Sequence, residues 1–305
     1  MIDLSIEDKR YFLPDNWQEI TRKDLLIIAD LYTRYLGSTD FLKYALIRML
    51  GIRRYLVRYH DQIAFAKGLY RVLPIPAIIQ LGINRGRVKV FPQDDLLVLS
   101  QMLSWITADI SAAKSMLTRN LLPGITVRRS IFSRLHLYGP ADQLRDVIAI
   151  EFAHADKAFL DYCTTGDPDK LEDLVGVLYR PQKWYWRIER LFTDKNNSLR
   201  MRYTGLRYGR SSCSSLSVSL PVKYAVLLYF QGCRNELLSN YPYVYTSDGG
   251  SDGHSTGWAG VFRALTNEKI TDLDKVLELP IHTVLFDLNE KIRINKQNEK
   301  LKTNA

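Results

Sequence analysis

Cysteine and histidine are both scarce in this sequence. The three cysteines, Cys163, Cys213 and Cys233, are odd in number and show no Cys-x-x-Cys spacing. A disulfide framework and a zinc finger therefore have little support. The five histidines lie in no recognisable protease or nucleophile-elbow motif. We expect reduced thiols, and we predict no catalytic residues, no metal site and no cofactor.

Long apolar runs and phosphate-binding motifs are also missing. A transmembrane helix needs about 20 mainly apolar residues, whereas the most apolar stretch, residues 73–82, is short and contains two prolines. The first residues show no basic stretch followed by an apolar one, so we expect no secretory signal. Neither Gly-x-Gly-x-x-Gly nor Gly-x-x-x-x-Gly-Lys-Ser/Thr occurs. These absences predict a soluble intracellular protein without a standard nucleotide cradle.

The composition is that of a folded protein with a basic surface. The chain has 305 residues, of which 46% are hydrophobic and 25% charged, and its net charge is +9. Eighteen tyrosines and five tryptophans must lie in cores or contact surfaces. The positive charge permits an acidic protein partner or nucleic acid, or serves solubility alone.

Helical periodicity dominates the first third of the chain. Thr21 and Asp24 form a capping box before apolar residues at helical spacing, and Gly37 ends this helix. A second helix from residue 38 or 39 to Gly51 completes a helical hairpin. We predict that residues 52–71 continue as helix and that another helix runs from Pro92 past Trp105.

Later segments predict more helices and two short extended parts. Residues 75–90 and 125–138 read as extended, the second as a hairpin. Further helices are predicted from Pro140 to about Cys163, at 171–178, after Pro221, at Trp258 and from Pro280. The fold class is therefore mainly α, an irregular multi-helix globular fold with a minor β component. Two parts are expected, 1–138 and 139–305, the second with an irregular excursion at 181–220; one integrated domain is the alternative.

Three isolated polar motifs give only weak evidence for a metal site or a catalytic nucleophile. Glu151 and His154 form a Glu-x-x-His pair on one helix face, but a di-iron bundle needs this motif twice. The loop from Asp248 to His254 lacks the closing glutamate of a calcium loop. The serines at 211–219 surround Cys213 without an adjacent base. An ordinary structural role is the preferred interpretation of each.

Two basic aromatic stretches, at 53–71 and 183–210, are the most suggestive local feature. Arginine with tryptophan and tyrosine suits protein interfaces and also single-stranded nucleic acid. Composition leaves both interpretations open, together with an ordinary core and solvated face. The final helix adds a narrow apolar stripe, which would dock a partner or pack on its own domain. The candidate partner-binding residues are Trp184, Trp186, Arg187, Arg190, Tyr203, Arg207, Ile281, Leu285, Leu288 and Ile292.

Several short segments of the chain together carry a resemblance to known proteins. They are Leu13-Pro14-Asp15-Asn16-Trp17, Gly139-Pro140-Ala141-Asp142, Glu151-Phe152, Asp161-Tyr162 and Leu174-Val175-Gly176-Val177-Leu178-Tyr179-Arg180-Pro181. With them the chain resembles uncharacterised proteins carried by phages and prophages of the Bacteroidetes. The likeness extends thinly over most of the chain and is most specific at the Leu-Tyr-Arg-Pro segment.

The resemblance implies a role among tail genes. Such proteins are encoded near the long tape-measure gene, which implies a non-enzymatic tail accessory protein or assembly chaperone, in the host cytoplasm or in the virion. Its partner would be a tail protein such as the tape measure. The resemblance brings no catalytic residues, and the loop 248–257 and the serine-rich stretch depart from the pattern. A nucleic-acid-binding protein and an enzyme with an unrecognised carboxylate site are the alternative hypotheses.

Overall fold

The structure is a computed structural model, and it confirms a mainly α fold with a minor β component. It describes residues 1–6, 9–35, 38, 41–50, 56–59, 62–66, 88–92, 98–111, 117–128, 134–183, 200–201, 203, 218–245, 257–266 and 270–303. The chain forms two compact units, Met1–Lys114 and Ser115–Ala305, whereas the sequence analysis places the division near residue 138. The hairpin at 124–138 pairs with a strand at 180–181, which accounts for its place in the second unit.

The first unit combines helices with two small antiparallel sheets. Its elements are β1 (Ile2–Ile6), β2 (Lys9–Leu13), α1 (Arg22–Tyr35), α2 (Phe41–Met49), β3 (Leu56–Tyr59), β4 (Gln62–Ala66), β5 (Val88–Pro92) and α3 (Ser104–Ser111). β1 pairs with β2, and β3, β4 and β5 pair in that order. The β1–β2 hairpin was not predicted, although residues 2–6 alternate between apolar and polar as a strand does.

The prediction that residues 52–71 continue as helix is wrong for the part of this range that the structure describes, since Leu56–Tyr59 and Gln62–Ala66 are strands. β3 and β4 form an antiparallel hairpin in which Tyr59 faces Gln62, and β5 pairs along the other edge of β4. The segments that form β3 and β4 are short and rich in aliphatic and aromatic residues, and such residues are compatible with strand as well as helix. Pairing with a distant strand, which no local pattern shows, decides between the two.

The predicted α1–α2 hairpin and its cap are confirmed. The Thr21 backbone N–H donates to Asp24 Oδ2 at 3.0 Å, and the Asp24 N–H donates to Thr21 Oγ1 at 3.3 Å. The buried Asp30 of α1 forms ion pairs with Arg34, at 2.9 Å, and with Arg48 of α2. This carboxylate links the two helices of the hairpin.

The second unit is built from helices around a three-stranded sheet. Its elements are β6 (Gly124–Arg128), β7 (Arg134–Tyr138), a 3-10 turn (Asp142–Leu144), α4 (Ala149–Thr165), α5 (Pro168–Leu178), β8 (Arg180–Pro181), α6 (Leu220–Asn240), α7 (Pro242–Tyr245), α8 (Gly257–Leu265), α9 (Ile270–Glu278) and α10 (Ile281–Thr303). The predicted hairpin at 125–138 is confirmed, with Ile125 opposite Leu137.

Helix α4 begins later than the sequence predicts. We expected a helix from Pro140, but the regular helix starts at Ala149. Gln143 and Leu144 have φ values of 58° and 57°, a left-handed conformation that an α-helix cannot include. The helix ends as predicted near residue 163, at Thr165, where Gly166 has a φ of 67° and supplies a left-handed C-terminal cap.

The beginnings of α4 and α10 are joined by backbone hydrogen bonds. The Ala149 N–H donates to the Leu279 carbonyl, and the Ile281 N–H donates to the Val147 carbonyl, both at 2.9 Å. Ile148 and Pro280 form the bridge between these bonds. The first turns of the two helices are therefore held together directly.

Gly232 in the middle of α6 is predicted to be required for close packing. A Cβ atom at this position would lie 2.3 Å from the Leu117 carbonyl oxygen. Gly232→Ala should lower the free energy of unfolding by about 1–3 kcal/mol through overpacking, even though alanine favours helix by about 1 kcal/mol. Urea denaturation measures this loss. The control Gln231→Ala, on the same helix, should change stability by less than about 0.5 kcal/mol; an unchanged or more stable Gly232→Ala protein would contradict the close approach.

Candidate functional site

Four charged side chains form a buried ionic cluster in the second unit, made of Asp146, Glu151, Arg180 and Arg200. Arg200 Nη1 lies 2.6 Å from Glu151 Oε1, and Arg180 Nη2 lies 2.9 Å from Glu151 Oε2. Arg200 Nη2 lies 3.1 Å from Asp146 Oδ2. Two carboxylates thus face two guanidinium groups, and the charges of the cluster cancel.

The ionic cluster is almost completely excluded from solvent. Glu151, Arg180 and Arg200 expose 1%, 3% and 2% of their surface. Arg200 also donates to the carbonyl oxygens of Leu178, at 2.8 Å, and Asp146, at 3.2 Å. These bonds connect the end of α5 with the segment that precedes α4. Burial makes each charge depend on its partner, because an unpaired ion is strongly disfavoured away from water.

Burial and pairing act in opposite directions on these groups. Burial raises the pKa of Glu151, while the charges of Arg200 and Arg180 oppose the rise. Burial also lowers the pKa of Arg180, against the attraction of Glu151. For Arg200 burial would lower the pKa, but Glu151 and Asp146 together raise it above its ordinary value. Arg200, which contacts both carboxylates, is the most strongly held cation of the cluster.

Tyr203 connects the ionic cluster with His154. The Arg180 guanidinium lies 5.5 Å from the centre of the Tyr203 ring, and the Tyr203 hydroxyl lies 2.5 Å from His154 Nδ1. Burial and the nearby Glu151 raise the pKa of Tyr203 to about 12. Burial and Lys157 lower the pKa of His154. At neutral pH a protonated phenol is therefore hydrogen-bonded to a neutral imidazole.

His154 lies at a pocket between α4, α8 and α9, which we call the α4–α8–α9 pocket. Its volume is about 450 Å³, within the range of ligand pockets. The apolar lining consists of Ile150, Ala153, Trp258, Phe262, Leu273 and Leu277. The remaining lining residues, His154, Lys157 and Arg263, are basic and exposed. The pocket therefore has an apolar floor and a basic mouth.

Asp156 fixes Trp258 on the pocket floor. The Trp258 Nε1–H donates to Asp156 Oδ2 at 2.9 Å, and Arg234 Nε donates to Asp156 Oδ1 at 2.6 Å. The indole ring contacts Phe152 edge-on at 5.2 Å and stacks on Phe262 at 5.8 Å. These contacts hold the tryptophan in one orientation, so the floor is preformed.

The buried carboxylates are poorly placed for catalysis. Both oxygens of Glu151 accept from arginines, and both oxygens of Asp156 accept from Arg234 and Trp258. Neither residue lines the pocket. Within the described ranges, no group of three histidines, cysteines or acids is placed to hold a metal ion. What the arrangement supplies is a preformed binding surface with positive charge at its mouth.

The predicted partner-binding residues fall into three groups. Tyr203 is buried beside Arg180 and His154. Ile281, Leu285 and Leu288 are buried in the second unit, as in the alternative that the stripe packs on its own domain, and Ile292 is half-buried. The remaining five lie outside the described residues: Trp184, Trp186, Arg187, Arg190 and Arg207.

No local sequence pattern predicts the ionic cluster or the pocket. Glu151 was noted for its spacing to His154, but the partners of Glu151 lie 29 and 49 positions away in the chain. The resemblance to phage proteins includes both Glu151 and Arg180 without showing that they pair. Trp258 and Phe262 share one helix face, which was the available signal for a floor.

No protein-family model, no curated protein and no solved structure matches this chain. Among the described helices, none is both long enough and apolar enough to cross a membrane.

Replacing Glu151 should break the ionic cluster. Glu151→Gln leaves Arg180 and Arg200 buried without their shared counter-charge, so we expect a loss of about 3–5 kcal/mol in the free energy of unfolding. Chemical denaturation measures it. The matched control Glu172→Gln removes the charge of a half-buried pair with Lys223 and should cost below about 1 kcal/mol. If both variants lost the same free energy of unfolding, the buried cluster would contribute no more to stability than the half-buried pair.

Alkaline pH should weaken the fold through Tyr203. The folded state holds the Tyr203 proton up to a pKa of about 12, whereas the unfolded state releases it near the ordinary tyrosine pKa of 10.0. This contribution to the free energy of unfolding is intact below pH 10, and between the two pKa values wild type should lose about 1.4 kcal/mol per pH unit more than Tyr203→Phe. The Tyr203→Phe variant lacks this group. Unfolding curves from pH 9 to 12 should therefore diverge; parallel curves would contradict the assignment.

Proposed function

We propose that this protein is a non-enzymatic interaction protein that acts in the assembly or structure of a bacteriophage tail through protein–protein contacts. The observation that carries the interaction role is the α4–α8–α9 pocket, where a fixed tryptophan and a buried phenylalanine lie below an exposed arginine. Tryptophan and arginine are enriched at the residues that dominate binding energy in protein interfaces. The tail context comes from the resemblance of the Leu174–Pro181 segment and its neighbours to phage proteins.

The chemistry of the second unit supports binding over catalysis. A carboxylate enzyme needs an acid or base that can reach its substrate. Glu151 and Asp156 are saturated by arginine and indole donors. The pocket itself offers basic and apolar side chains, which are suited to holding a partner.

A tail protein, such as the tape measure, is the partner that we propose. Long helical proteins present apolar side chains in repeated rows, and a helper protein can cover such rows during assembly. The buried stripe of α10 is committed to its own unit, so the contact would be made by the α4–α8–α9 pocket. This activity would take place in the host cytoplasm, with retention in the virion as a second stage.

A tagged pull-down from the producing cells tests the proposal. The lysate is treated with nuclease and the bound material is washed at moderate salt before mass spectrometry. We expect a tail protein in stoichiometric amount. Deletion of the gene should leave DNA replication and heads intact while tails fail.

Two results would reject the proposal. Normal tails after gene deletion would exclude an assembly role. Loss of all bound material on nuclease treatment, with nucleic acid in the untreated eluate, would instead show a nucleic-acid-binding protein. That protein would release its ligand steeply with added salt, because each phosphate contact displaces counterions.

A further inference from the structure

We propose that the α4–α8–α9 pocket binds an acidic segment of a partner protein, which places an apolar side chain on the floor and a neighbouring carboxylate against Lys157 or Arg263. The inference rests on the proposed function, since it specifies the chemistry of the partner. It concerns a site that is formed entirely within the second unit.

The positive charge at the mouth of the pocket favours an acidic partner segment. Two of the nine lining residues, Lys157 and Arg263, carry positive charge and none is acidic. Lys157 and Arg263 form no ion pair with any residue in the described part of the chain. The adjacent acid in sequence, Asp156, is already engaged by Arg234 and Trp258. A carboxylate arriving at the mouth therefore meets two cations that no described side chain of this protein neutralises.

The floor of the pocket selects for an apolar side chain beside that carboxylate. Ile150, Leu273 and Leu277 surround the two aromatic rings, and a volume of about 450 Å³ admits side chains, since one water occupies about 30 Å³. Trp258 is held by its hydrogen bond and two ring contacts, and the His154 ring by Tyr203. Little ordering of the pocket is needed on binding, which favours affinity.

Fluorescence anisotropy with defined peptides tests this inference. The probe is a labelled peptide of sequence Glu-Glu-Leu-Phe-Glu-Glu-Leu, compared with counterparts in which glutamine or lysine replaces every glutamate. We expect binding of the glutamate peptide that weakens with salt, weaker binding of the glutamine peptide and no binding of the lysine peptide. Equal binding of the glutamate and glutamine peptides would overturn the role of the charged mouth.

Point variants tie the binding to the pocket. Lys157→Glu and Arg263→Glu should each weaken binding of the glutamate peptide by about tenfold or more. Lys275→Glu is the matched control, because this exposed lysine lies on α9 outside the pocket lining and the charge change is identical. Ala153→Leu fills the floor without changing charge and should weaken the glutamate and glutamine peptides alike. Equal effects of Lys157→Glu and Lys275→Glu would reject the site.

The same variants separate this inference from the proposed function. If wild-type protein retains a tail protein in the pull-down and Lys157→Glu and Ala153→Leu retain it equally, the pocket inference fails while the tail role stands. If peptides bind as expected but no tail protein is retained, the pocket is correct and the tail role fails. Binding of octanoate that is tighter than binding of the glutamate peptide would overturn the peptide assignment in favour of a small amphiphilic acid.

Discussion

The carboxylate of Glu151 is shared by two guanidinium groups, and the arrangement of the second unit follows from that sharing. Arg180 comes from the short strand β8 and Arg200 from the segment that bridges to Gln182. A single charge on the first turn of α4 therefore fixes two segments that are far from it in sequence. Since all three side chains are removed from water, none can leave without exposing the others to an unbalanced field.

The ionic cluster and the pocket share helix α4, with opposite electrostatic character. Glu151 and Asp156 of this helix lie against arginines, while His154 and Lys157 face the pocket. Glu151 and Asp156 are thereby paired inside the protein, whereas Lys157 is exposed to solvent or a partner. This division gives a pocket of positive character without any excess of buried charge.

Local signals gave accurate predictions where the decisive interaction is itself local. The capping box of Thr21 and Asp24 and the end of α4 near residue 163 are examples, because each depends on residues within a few positions. The start of α4 was mispredicted since Gln143 and Leu144 adopt positive φ values without being glycine, which no sequence pattern announces. The β3–β4 hairpin and the ionic cluster depend on partners distant in the chain, so periodicity could not find them. The residues of the pocket come from three helices, and only their packing reveals the site.

The backbone bridge between residues 147–149 and 279–281 has a consequence for synthesis on the ribosome. The first turn of α4 is made early, but the peptide groups that complete its hydrogen bonds are translated more than a hundred residues later. Until then the first turn of α4 lacks the backbone hydrogen bonds that residues 279–281 provide. The second unit is therefore completed only after residues 279–281 have been translated, and apolar surface that is still uncovered before that point is open to chaperones and to aggregation.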